Sequence, residues 1–188
     1  REPKKRKPIA RGKKAMISRI QQEYSRRDMP IEDVQFATDL MERIGGVDQT
    51  AIRFLGDKLM KKETGTNARS AGLFSFVNDM IMVGTDAVKS GDFRKVFAHE
   101  YWHKLTQYLS DAEVEKANAD FLKARERFTK KTGLNAEDYS RGGKPRAAFM
   151  AELGKQGIEH EEWYRLVNLD EWIAENMSDP TLERMELS

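Results

Sequence analysis

Apolar residues recur at helical spacing in two stretches near the start of the chain. Over residues 14–26, Met16, Ile17 and Ile20 fall on one face. Over 31–44, Ile31, Val34, Phe36, Ala37, Leu40, Met41 and Ile44 do the same. Each stretch predicts an amphipathic helix, separated by Asp28-Met29-Pro30 and ended by Gly45-Gly46. The pattern then shortens. Residues 51–55 read as a strand with Ile52 and Phe54 on one face, or as a short helix. Residues 57–70 are polar apart from Leu59 and Met60 and predict a loop. The apolar runs 72–77 (Gly72 to Val77) and 80–83 are joined by Asn78-Asp79. Asn and Asp tolerate the positive φ that a two-residue hairpin turn needs, so the runs predict an antiparallel hairpin.

Helical spacing returns after the hairpin. Ser90-Gly91-Asp92 supplies an N-cap for a helix over 93–109. Ser110-Asp111 opens another, rich in Lys and Glu, that ends at Thr132-Gly133. Residues 134–146 look loop-like, and 147–176 are helical with a break near Gly157. Helices, a small sheet, then helices make an α+β protein.

Composition narrows this picture. A chain of 188 residues, 39% hydrophobic and 34% charged, suits one soluble domain over 15–188 behind an arm or linker at 1–14. No apolar run reaches bilayer length, so no membrane role is expected. No signal-peptide pattern opens the chain, and Arg at position 1 would fit a piece cut from something longer. Cysteine is absent, which excludes disulfides and thiolate metal sites and fits a reducing, cytoplasmic setting. Net charge is +2, yet residues 1–14 carry +7 and the remainder −5. Such an arm could make a weak nucleic-acid contact, act as a nuclear address through Pro3-Lys4-Lys5-Arg6-Lys7, or serve as a solvated linker. The linker reading is preferred, and no aromatics are interleaved to stack on single strands.

The chemistry concentrates in His99-Glu100-Tyr101-Trp102-His103. On a helix, a spacing of four puts His99 and His103 on one face a turn apart, where both imidazoles can hold one Zn2+. Glu100 projects beside the metal and can act as general base toward the attacking water. Only three histidines occur in the chain, and two lie in this motif. A catalytic zinc needs a third protein ligand. The candidates downstream are His160, which sits in a charged run and reads as a surface residue, and several carboxylates. Among these, Glu171 and Glu175 are four apart on a helical stretch with Trp172 and Ile173. Glu171 on zinc and Glu175 on the outer nitrogen of a ligand histidine would give each carboxylate a partner. The opposing interpretation is a solvated acidic face.

With those residues in hand, the chain resembles the zincin metallopeptidases of gluzincin type, over roughly residues 50–180. The segment Glu171-Trp172-Ile173-Ala174-Glu175 is similar to the glutamate helix of the anthrax lethal factor catalytic domain. It is also similar to zincin-like domains of phage and mobile-element polyvalent proteins. The resemblance implies a zincin-like fold in which a small mixed sheet with its hairpin packs on the motif helix and the C-terminal part is mainly helical. It implies an endopeptidase acting on a protein or peptide, host-directed or self-processing, with Glu171 on zinc and Glu175 behind a ligand histidine. A tyrosine facing the developing oxyanion is also implied, with Tyr164 as candidate and Tyr108 as the weaker one. The edge strand that pairs with substrate would correspond to Gly72–Val77. Tyr101-Trp102 depart from the smaller residues common inside the motif, and their bulk is expected to pack into the domain. Two other classes stay open: an inactive zincin-fold module that docks protein or nucleic acid, and a helical interaction protein with an accidental motif.

Overall fold

The computed structural model describes residues 7–27, 29–65 and 71–186. They gather into two compact units, one holding residues up to Lys104 together with those from Thr181 onward, the other spanning Leu105–Pro180. The protein is α+β, with a three-stranded mixed sheet among many helices.

In the first unit, α1 (Lys13–Arg27) and α2 (Ile31–Ile44) form where the apolar spacing places them. Met16, Ile20, Val34, Ala37, Leu40 and Met41 are buried, while Ile31 and Ile44 at the ends of α2 are exposed. Gly45, at φ 74, stops α2 and returns its N–H to the Met41 carbonyl. The strands follow as β1 (Ala51–Leu55), β2 (Gly72–Ser75) and β3 (Met80–Gly84). The sheet order is β1-β3-β2. β3 is central and buried throughout, parallel to β1 and antiparallel to β2.

Three local expectations change. Residues 57–64 are a helix, α3 (Asp57–Thr64), where polarity suggested a loop. Met60 is its buried anchor, packed with Ala51, Leu55, Met80 and Met82 on one sheet face. The rest of that expected loop, 66–70, lies outside the described residues, as does Asp28. The hairpin turn is longer than two residues, because Ser75 pairs with Met80 and leaves 76–79 as the loop. Phe76 and Val77 look like strand in sequence but sit in this turn, with Val77 96% exposed. A short helix, α4 (Thr85–Lys89), also intervenes before the motif helix α5 (Phe93–Leu105).

The turn is held from several sides. Asp79 adopts φ 47 and accepts from the Thr50 hydroxyl at 2.8 Å and from the Lys104 ammonium at 3.0 Å. Arg11 donates to the carbonyls of Gln49, Asn78 and Asp79. The basic segment is therefore not uniform. Arg11 and Gly12 are tied into the fold, the latter donating its N–H to the Thr50 carbonyl at 2.8 Å. Residues 1–6, including most of the lysine-rich run, lie outside the described residues.

The second unit is helical. α6 (Asp111–Thr132) starts at a capping box between Ser110 and Glu113 and ends at Gly133 in the left-handed region. Residues 134–146 do not form the expected loop. They hold α7 (Glu137–Arg141) and the start of α8 (Gly143–Gln156), whose first turn accommodates Pro145. α9 (His160–Trp163), a 3-10 turn over Tyr164–Leu166 and α10 (Leu169–Glu186) follow. Phe128, Phe149, Leu153, Trp163, Leu166 and Val167 make this unit's core. No described helix is long and apolar enough to cross a membrane.

Candidate active site

The motif helix is buried on nearly every side, unlike a surface helix with one apolar stripe. Its position comes from an aromatic ladder. Phe54 of β1 stacks on Phe93 at 6.0 Å between centroids, Phe93 on Phe97 at 5.5 Å, and Phe97 meets Tyr101 at 5.7 Å. Residues 93, 97 and 101 are each four apart, so one face of α5 lies along the sheet. Tyr101 is fully buried and donates its hydroxyl to the Gly45 carbonyl. Trp102 donates its indole N–H to the Thr181 hydroxyl at 3.0 Å. The bulk inside the motif thus packs into the protein.

This register leaves His99, Glu100 and His103 for chemistry. His99 Nε2 and His103 Nε2 are 3.1 Å apart, with ring centroids at 4.8 Å and planes crossed at 72°. Two nitrogens held at roughly 2.0–2.1 Å by one tetrahedral zinc stand about 3.4 Å apart, so the pair fits a shared ion with a small adjustment. Glu100 is 7% exposed. Its Cγ and Oε1 lie beside Gly72, at the start of edge strand β2.

The other proposed residues lie in the second unit. Tyr164 is half-buried, and its hydroxyl is 3.5 Å from Glu171 Oε1, at the long limit of a hydrogen bond. Glu171 stands in the first turn of α10, where Asn168 caps the helix by accepting the Glu171 N–H at 2.9 Å. An acidic residue there also suits the helix dipole. Glu175 is one turn further along the same helix and half-buried. Tyr108 is 62% exposed on a 3-10 turn, which leaves Tyr164 the better enclosed of the two candidate tyrosines.

The chain matches no protein-family model, no curated protein and no solved structure.

Three contributions escaped the sequence pattern. Arg125 of α6 donates to the carbonyls of Leu166 at 3.0 Å and Val167 at 2.9 Å, fixing the segment between Tyr164 and α10. Burial pushes its guanidinium pKa down, opposed by the charge of Glu137. Ser140 adds a third bond, to the Val167 carbonyl. His160 is exposed, as expected, yet it stacks on the Tyr164 ring at 4.6 Å and 20°. None of the three could be found by spacing, because backbone acceptors and ring stacking across a turn leave no periodic signal.

Proposed function

We propose that this chain is a zinc-dependent endopeptidase. The carrying observation is the close His99–His103 nitrogen pair next to a buried Glu100. His99, His103 and Glu171 are of the side-chain types that hold a metal ion, and Glu171 would be the third ligand. Bound there, zinc would acidify a water and polarise the scissile carbonyl. Glu100 takes the proton from the attacking water and passes it to the leaving amine. The Tyr164 hydroxyl donates to the developing oxyanion. Glu175 supports a ligand histidine from behind. The outer edge of β2 would hold the substrate backbone as an added strand. These roles correspond to a zincin-like arrangement of gluzincin type.

The test combines metal analysis with one substitution. Purified protein should carry close to one zinc per chain, and Glu100→Gln should keep it. The same variant should lose about 10²–10⁴-fold in peptide hydrolysis. A variant that cleaves a peptide library as fast as the parent defeats the mechanism. A parent that binds zinc but cleaves nothing would point instead to an inactive docking module.

A further inference from the structure

We infer that Gly72 is a positioning residue for Glu100, an inference that rests on the peptidase reading for its kinetic consequence but not for its structural one. Nothing in the Gly72 backbone demands glycine, since its φ is outside the left-handed region. Space demands it. A Cβ at Gly72 would lie 2.6 Å from Val96 Cγ1, 3.0 Å from Glu100 Cγ and 3.1 Å from Glu100 Oε1. The first distance is one that real Cβ atoms essentially never show.

Neither the strand nor Val96 can readily retreat. Gly72 is paired with Val83, and Gly84 N–H closes the ladder on the Ala71 carbonyl at 2.8 Å, so the strand is pinned to β3. Val96 and Glu100 are one turn apart on α5, whose adjacent face is held by the aromatic ladder. Val96 is β-branched and in a helix keeps one rotamer for the most part. Glu100, with three rotatable side-chain bonds, is the element able to move. The missing Cβ at Gly72 therefore sets where the carboxylate rests, at the point where the edge strand begins.

Gly72→Ala should thus swing the Glu100 carboxylate by about 1 Å and leave the His99–His103 pair in place, a displacement that lowers kcat by roughly 10–100-fold with KM little changed. Val96→Ala alone should stay near the parent, and the double variant Gly72→Ala/Val96→Ala should remain slow. A double variant with parental kcat would overturn the inference, because the loss would then come from Val96 packing. A crystal structure of Gly72→Ala supplies the readout that needs no activity. A displaced Glu100 carboxylate supports the inference even if the parent proves to be no peptidase. Glu100 unmoved, with the new methyl absorbed by Val96 or the strand, overturns it whatever the kinetics.

Discussion

On α5, Glu100 and His103 are each 7% exposed and Tyr101 is fully buried. On α10, Glu171 and Glu175 are half-buried, and the segment before them is tied down by Arg125, Ser140 and Asn168. The motif helix is held by shape, through rings stacked on a sheet and a strand that touches the Glu100 side chain. The glutamate helix is held by hydrogen bonds to its backbone and by a cap. Packing fixes a side chain with a steep penalty for any change of size. Hydrogen bonds fix it by direction, and each can be lost singly at moderate cost. The first arrangement suits a base that must sit at one spot. The second suits a carboxylate and a phenol whose reach can adjust.

The largest effect should come from removing shape on the α5 side. Tyr101→Ala empties a fully buried site and leaves the Gly45 carbonyl without its hydroxyl donor. Urea unfolding should show a loss of about 3–5 kcal/mol. A loss under about 1 kcal/mol would mean that packing is not what holds the motif helix.

An intermediate effect is expected on the other side. Arg125→Ala strips the charged donor from the Leu166 and Val167 carbonyls, while the Ser140 hydroxyl still serves Val167. The cost should be about 1–3 kcal/mol. Arg125→Lys should recover only part of it, since one ammonium cannot reproduce a planar fork spanning two acceptors. If peptide hydrolysis falls with stability in Arg125→Ala, the turn is what aims Tyr164. Full recovery by lysine would show that charge alone, not direction, fixes this segment.

The same contrast explains what could be read from sequence. Burial writes itself into spacing. The apolar positions of α2, the stop at Gly45, the hairpin strands and the His-Glu-x-x-His helix were all legible, because period and capping chemistry are local. The capping box at Ser110 and Glu113 was legible as an N-cap for the same reason. Structure held by a single anchor or by backbone acceptors was not. α3 shows one buried side chain, Met60, in an otherwise polar stretch, so it read as loop. Gly142-Gly143 hid the junction of α7 and α8. Phe76 and Val77 carried strand-like apolarity into a turn that lies open to solvent. Within the candidate site, the close approach of His99 and His103 follows from their spacing of four on a helix. The contacts of Arg125 with carbonyls 41 and 42 residues away had no local trace. The role of Gly72 depends on a helix that follows it by more than twenty residues, so it too was invisible.

The smallest effect tests whether the hydrogen-bonded side is also the acid-sensitive one. Ser110 caps α6, the helix that carries Arg125. Its Oγ accepts the Glu113 N–H at 3.2 Å and donates to Glu113 Oε1 at 2.9 Å, and its backbone N–H donates to the same carboxylate oxygen at 3.2 Å. These bonds favour the ionised carboxylate and hold the Glu113 pKa below its ordinary value of 4.5. A carboxyl whose folded pKa is depressed stabilises the fold above its unfolded pKa. That contribution is lost as pH falls through the folded value. Ser110→Ala should therefore lower Tm most at neutral pH, by a few degrees. The gap to the parent should narrow as pH drops below about 4.5 and then through the parent's lower folded value, where its Glu113 takes up a proton. It should not close, because the bond from the Glu113 N–H to Ser110 Oγ does not titrate. Thermal melts of the pair from pH 7 to pH 3 measure this directly. A gap that stays constant with pH would assign the cap to the hydroxyl alone and remove the carboxylate from the account of how this helix is held.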